Sequence, residues 1–246
     1  MELKGKVALI TGGARIGQAV AKALADRGAH LILTYRTSKS SAQESQGYAE
    51  ARGRQVLLIK TDLTLNKDIA DIISKARRVF RRLDILINMA SIYEETPLKS
   101  LNLKTWDRNM NANLKHVYDL SIRAAGLMRS SGGGRIINFT DWTVVSERPR
   151  YKNFAPYYAA KSGVKGLTEA LALELAPDIL VNAIAPGPII PPKNKMTAKE
   201  KREVVQVTPL KRWGGAEEIA KAALFLIDSD FVTGECIRVD GGRHLY

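Results

Sequence analysis

"ALITGGARIGQAV", residues 8–20, carries an apolar run into a glycine pair and out again into a helical pattern. Ala8, Leu9 and Ile10 read as a strand, Gly12 and Gly13 as a tight turn, and Ile16, Ala19, Val20, Ala23 and Leu24 recur at helical spacing. A strand that turns into a helix start offers unpaired backbone N–H groups and the positive end of the helix dipole, which suits a phosphate. Gly12, Ala14 and Gly17 stand at the intervals of G-x-G-x-x-G, with alanine in the middle place. Such a match also arises in ordinary turns, so the rest of the chain has to decide.

The 246 residues suit a single domain spanning 1–246, and 45% hydrophobic with 26% charged residues is a globular balance. No apolar run approaches the roughly 20 residues that cross a bilayer. The start MELKGK lacks the apolar core of a signal peptide, so a soluble, cytoplasmic protein with no membrane partner is expected. The single Cys236, in "GECIRV", cannot form an internal disulfide and reads as a buried thiol. A net charge of +13 raises nucleic acid, an acidic protein partner or an anionic cofactor as ligands. The basic residues are scattered, however: Arg77, Arg78, Arg81 and Arg82 fall opposite Ile69, Ile72, Ile73, Ala76 and Phe80 on one helix, which is a solvated face. No nucleic-acid partner is expected.

Short β-branched runs alternate with longer amphipathic ones, placing strands at 6–11, 30–35, 55–60, 84–88, 134–140, 179–184 and 236–239. Strands separated by helices imply βαβ crossovers, hence an α/β fold: one Rossmann-like, doubly wound parallel sheet of seven strands with helices on both faces. Ligands of such sheets bind beyond the carboxyl ends of the strands, which is where function has to be sought. The proline-rich "PGPIIPPKNKM", 186–196, follows a strand and reads as a loop over the site.

After the second strand, residues 34–41 hold no acid to accept ribose hydroxyls; Arg36, Thr37, Ser38 and Lys39 instead offer donors to a 2′-phosphate, favouring NADPH over NADH. A merely basic loop is the plainer reading. After the third strand, Asp62 is placed to accept from an adenine amine and Leu63 to touch the base. After the fourth, Asn88, Ala90 and Ser91 are placed along the cofactor. Tyr93 is either a ring to lay on a flat substrate or a packing residue under a loop. The fifth strand ends in "NFTD", at Asp141, and the next helix start, "APYYAAKSGVKGL", holds Tyr157 and Lys161. Their separation of four puts both side chains on one helix face, where the ammonium favours the phenolate. Tyr158 stands three residues from Lys161 and is secondary.

Nearly the whole chain resembles the short-chain dehydrogenase/reductases, through "TGGARIG", "DLT", "NMAS", "WDRNMNANLKHVY", "IINFTD", "YYAAK", "VNAIAPG", "PLKRWGGAEEIA" and "VTGECIRVDGG". The resemblance implies Tyr157 as proton donor and Lys161 as holder of the nicotinamide ribose and tuner of the tyrosine. It gives Asn113 a water that continues a proton relay. It further implies Gly12, Arg15, Ile16 and Gly17 at the cofactor phosphates, Pro186 and Gly187 beside the nicotinamide, and a homotetramer; no metal is called for. The family's loop runs T-G-x-x-x-G-x-G, so "TGGARIG" is one residue short, which predicts a tight turn holding Arg15 near the pyrophosphate.

One departure is informative. Where the family usually has a carbonyl-polarising serine, this chain has Asp141, as in the pteridine and dihydromonapterin reductases. "NMASIY" resembles their "NNAS" followed by a ring-stacking aromatic, which falls on Tyr93, and Arg15 matches an arginine facing both cofactor and substrate. Substrate contacts are therefore expected from Arg15, Ser91, Tyr93, Asp141 and Tyr157. A carboxylate accepts from the N–H groups of a pterin, and its charge keeps Tyr157 protonated. The expected reaction is hydride transfer from NADPH to a dihydropterin C=N, with Asn113, Asp141, Tyr157 and Lys161 as the catalytic set. The alternatives are a carbonyl reductase, such as a 3-oxoacyl carrier-protein reductase, whose acidic partner suits a basic surface, and a non-catalytic nucleotide-binding scaffold.

Overall fold

The computed structural model describes residues 1–147, 151–192 and 196–245. Among them, seven strands form one wholly parallel sheet in the order β3-β2-β1-β4-β5-β6-β7. The strands are β1 (Val7–Thr11), β2 (His30–Tyr35), β3 (Val56–Lys60), β4 (Ile85–Asn88), β5 (Gly134–Phe139), β6 (Ile179–Pro186) and β7 (Cys236–Val239). All seven overlap the sequence expectation; β6 runs on to Pro186, because its last residues still pair with β7.

Side-chain alternation divides each buried strand between two cores. From β1, Ala8 and Ile10 join Val20, Ala21 and Leu24 of α1 (Ile16–Asp26) and Ile219, Ala223 and Leu226 of α9 (Ala216–Asp228). Val7 and Leu9 face the other way, onto Ile69, Ile72 and Ala76 of α3 (Asn66–Phe80), Leu120 and Ala124 of α5 (His116–Ser130), and Leu171 and Leu175 of α7 (Ala155–Leu175). On α3, Arg77 and Arg78 lie on the solvent side of this stripe. Cys236 is only half-buried, correcting the expectation of a buried thiol, because β7 is an edge strand with intermediate or exposed residues throughout.

The strand order reverses between β1 and β4, and this opens a crevice at the carboxyl ends of both. One local device shapes its floor. Between α4 (Leu103–Met110) and α5, residues Asn111–Lys115 form a π-helical turn that bulges Asn113 inward, fully buried.

Candidate active site

The glycine loop is held by close backbone packing. A Cβ at Gly17 would lie 2.4 Å from the Gly12 carbonyl oxygen, and one at Gly12, whose φ is +77°, would lie 3.0 Å from the backbone of Ala90. These glycines bring the β1 turn, the start of α1 and the strand-β4 exit together, leaving room for a phosphate at the helix start. Arg15 caps α1 at φ 53° and ψ −102°, a conformation costly for a side-chain-bearing residue and consistent with the shortened turn. Its guanidinium reaches across the crevice and donates to the carbonyls of Ile190 (3.3 Å) and Pro191 (2.8 Å). Arg15 thus sits in the phosphate loop by its backbone, while two carbonyls of the loop after β6 lie within reach of its side chain and accept from it.

From this loop a cleft runs along the strand ends, lined by Gly12, Arg36, Thr37, Ser38, Asp62, Leu63, Ala90 and Ser91. The sequence named those eight residues; the cleft adds Thr34, Tyr35, Thr61, Thr64, Ile92 and Ala112, which carried no signal beyond adjacency. Arg36 and Thr37 are exposed at its mouth. Asp62 accepts from the Thr64 amide (3.0 Å) and hydroxyl (2.7 Å), and these bonds, with Arg36 contributing, hold its carboxyl below the usual range. Asn88 is a correction: its amide is buried and donates to Asn138 (2.9 Å) and Ser121 (3.1 Å), joining β4 to β5 and α5 instead of facing the cleft. In a strand buried on both faces, alternation does not show which side a polar residue takes.

Asn113 fixes the strand-β4 exit. Its side-chain oxygen accepts from the Ser91 hydroxyl (2.8 Å) and the Ile92 amide (2.9 Å). Beyond, two bonds lock α7 to the end of β5: Lys161 Nζ donates to the Phe139 carbonyl (2.8 Å), and the Thr140 hydroxyl donates to the Lys161 carbonyl (2.8 Å). Asp141 then caps α6 (Trp142–Val145), accepting from the Thr143 amide at 2.9 Å through Oδ1, while Oδ2 accepts from the Tyr157 hydroxyl at 3.0 Å. Tyr93 stands edge-on to Tyr157, with centroids 4.9 Å apart, and stacks face to face on Phe154 at 4.4 Å. Phe154 was missed; its place just before Tyr157 was the available clue. At the far wall, Gly187 is pressed so close to Asp240 that a Cβ there would lie 2.4 Å from the aspartate's Cβ. Asp240 in turn pairs with His244 Nδ1 at 2.7 Å, which ties down the tail.

Two opposed expectations meet at Tyr157: Lys161 was expected to draw it toward its phenolate and Asp141 to keep it protonated. Burial first and Asp141 second hold the tyrosine well above its ordinary value. Burial lowers Lys161 to about 8, against an upward pull from Asp141. The arrangement therefore stores a protonated phenol beside an ammonium that can part with a proton near neutrality.

A seven-stranded parallel sheet with a glycine turn at the start of α1, a cleft along the strand ends and a Tyr–Lys pair at the far end is the framework of a nicotinamide-dependent oxidoreductase. A family model described as enoyl-(acyl carrier protein) reductase matches residues 13–244. The chain is 35% identical to the 3-oxoacyl-(acyl-carrier-protein) reductase FabG of Escherichia coli over the full length of both, and 33% identical to the corresponding reductase of Synechocystis over 99% of each. A short-chain dehydrogenase/reductase of Serratia marcescens superposes with a TM-score of 0.91 at 33% identity, covering 99% of this chain and 100% of that one. A 7α-hydroxysteroid dehydrogenase complexed with NADH also superposes at 0.91, with 28% identity over 98% of this chain and 95% of that one. The chain belongs to the short-chain dehydrogenase/reductase family, and it is an oxidoreductase of that type.

Proposed function

We propose that the protein is an NADPH-dependent reductase that saturates a C=N bond in a flat, N–H-bearing ring of the dihydropterin class. The observation that carries this reading is the Asp141 carboxylate, bonded to the Tyr157 hydroxyl in the position where a carbonyl reductase of this family uses a serine. A ketone offers a carboxylate no donor to bind, whereas a pterin edge offers several. Tyr93 supports it with an accessible ring at the mouth of the site. The cleft, with Arg36, Thr37 and Ser38 suited to a 2′-phosphate, would hold NADPH, which would supply the hydride. Tyr157 delivers the proton to the ring nitrogen, Asp141 accepts from ring N–H groups and keeps Tyr157 protonated, and Lys161 returns a proton to the phenolate.

The second reading is reduction of a 3-oxoacyl thioester, and the names of the relatives favour it over the first: the curated matches above are 3-oxoacyl-(acyl-carrier-protein) reductases over their full length, and none of the relatives named here is a pterin enzyme. The net charge of +13 also suits an acidic carrier protein. NADPH oxidation measured with dihydrobiopterin or dihydromonapterin beside an acetoacetyl thioester decides between them. The pterin reading expects turnover of the ring substrate and its selective loss in Asp141→Ser; turnover of the thioester alone refutes it. A homo-oligomer belongs to the same proposal, supported by the exposed apolar residues Tyr118, Ile122 and Leu173 on α5 and α7, and sedimentation checks it.

A further inference from the structure

Tyr93 lies on irregular backbone between β4 and the 3₁₀ turn at Leu98–Ser100, and a loop-borne ring makes a poor wall for a substrate unless something fixes it. The loop is pinned on either side of the ring. The Ile92 amide donates to Asn113 (2.9 Å), and at buried Thr96 both the amide (2.6 Å) and the hydroxyl (3.1 Å) donate to the Asn153 carbonyl. The ring itself has two aromatic neighbours: Tyr157, inclined at 78°, and Phe154, inclined at only 12° and stacked with centroids 4.4 Å apart. Phe154 covers one face, and Tyr93 is still 48% exposed.

Phe154 is anchored through its backbone. Its carbonyl accepts from the Tyr158 amide (2.9 Å) as α7 begins, and Ala155 and Pro156 follow it as the first residues of that helix. The residue before it, Asn153, has φ 68°, a left-handed conformation that asparagine tolerates better than most residues. One short segment therefore sets the Asn153 carbonyl on Thr96 and the Phe154 ring on Tyr93. These two contacts, one polar and one aromatic, join the loop after β4 to the start of α7, the helix that carries Tyr157.

We propose that Phe154 is a positioning residue that sets selectivity for rings over open chains: stacked behind Tyr93, it holds the tyrosine ring in register with Tyr157, so that a flat heteroaromatic substrate meets a fixed wall. A rigid ring gains from a wall that is already set, because little is left to order on binding. An open acyl chain has no face to lay on it. This inference rests on the ring-reductase reading and names the residue that makes Tyr93 selective.

Calorimetry of 2,4-diaminopteridine binding to the NADP⁺ complex tests it without turnover. Phe154→Ala is expected to weaken that binding about three- to ten-fold, with NADP⁺ affinity within about two-fold of wild type; Phe154→Tyr, which keeps the stack, is expected to bind the pteridine within about two-fold of wild type. Tyr93→Ala and the Tyr93→Ala/Phe154→Ala double variant should bind it alike, because Phe154 acts through Tyr93. In turnover, the loss in Phe154→Ala should fall on KM for dihydrobiopterin, leaving kcat and the thioester kcat/KM within about two-fold. Wild-type pteridine affinity in Phe154→Ala, or losses that add in the double variant, overturn the proposal. Should Phe154→Ala fail to fold, Phe154→Leu, which keeps apolar bulk and loses the stack, carries the same expectation. Failure of the ring-reductase reading shows separately. A wild type that reduces only the thioester, yet binds the pteridine with this dependence on Phe154, loses the reaction and keeps the wall; one that reduces dihydrobiopterin with Phe154→Ala unchanged keeps the reaction and loses the wall. A wild type that binds no pteridine overturns the wall outright.

Discussion

Replacing Asp141 with asparagine removes one charge and little else. Asparagine caps a helix as well as aspartate does, so the bond to the Thr143 amide and the α6 turn should survive. What goes is the negative charge at 3.0 Å from the Tyr157 hydroxyl. At an effective dielectric near 20, two like charges about 4 Å apart repel by about 4 kcal/mol, the equivalent of about 3 pKa units. Relaxation and water entry reduce this, and burial, the larger cause of the Tyr157 shift, remains in the variant, so the tyrosine is expected to fall by less than the charge pair alone would give. The sign does not depend on which partner titrates, because Asp141 raises Tyr157 and Lys161 alike and removing it lowers both. The two act as a coupled pair, and the working donor is their protonated state. The alkaline limb of kcat, followed by NADPH oxidation from about pH 6 to about pH 10, should therefore move to lower pH. A limb that stays within about 0.3 unit of wild type, in a variant with unchanged melting temperature, refutes the claim that Asp141 sets this equilibrium.

Three further outcomes can be checked directly. Arg36→Ala removes a charge-assisted bond worth about 1.5–3 kcal/mol, so kcat/KM for NADPH should fall about 10–150-fold while that for NADH changes by less than about three-fold. Gly17→Ala drives a methyl into the Gly12 carbonyl, 2.4 Å from the new carbon, and should cost about 1–3 kcal/mol, read as a melting temperature lowered by about 2–10 °C together with weakened NADPH binding in calorimetry. Tyr93→Ala removes a stacking wall worth about 0.5–1.5 kcal/mol, so kcat/KM for a dihydropterin should fall about 3–10-fold with the thioester nearly unaffected; equal losses on both would assign Tyr93 to packing.

The strands and the Tyr–Lys pair were legible because each depends on local pattern. A β-branched run reads as a buried strand wherever it pairs, and a spacing of four fixes a shared helix face whatever surrounds it. Arg36, Thr37, Ser38, Asp62 and Leu63 were legible for a related reason: the doubly wound fold dictates that residues after strands line the cleft, and these do. The misses are all long-range. Arg15 reaches the backbone carbonyls of Ile190 and Pro191, groups that every residue carries and no sequence advertises. Asn88 turns into the core because Ser121 and Asn138, far along the chain, supply partners there. Tyr157 titrates upward through burial first, a property of the folded chain that no spacing reveals, and through Asp141 second, the effect the sequence reading had expected of that carboxylate.

Asp141 shows how a structural demand and a chemical one can be separated at a single residue. The fold asks this position to start α6, and serine, threonine, asparagine and aspartate all meet that demand. Capping therefore accounts for a polar side chain at the end of β5 and leaves its charge unexplained. The charge is costly in a half-buried place beside a buried phenol, since it opposes the phenolate that the reverse reaction, oxidation by Tyr157 as base, requires. It favours the protonated phenol, the form that donates in reduction. Asp141→Asn keeps the cap and loses the charge, while Asp141→Ser keeps the cap and adds a hydroxyl donor. If reduction of a ring substrate falls in both variants while thioester reduction rises only in the serine variant, the carboxylate is there for the substrate's N–H groups and for the direction of proton transfer, and the cap is the part that any of four residues could have supplied.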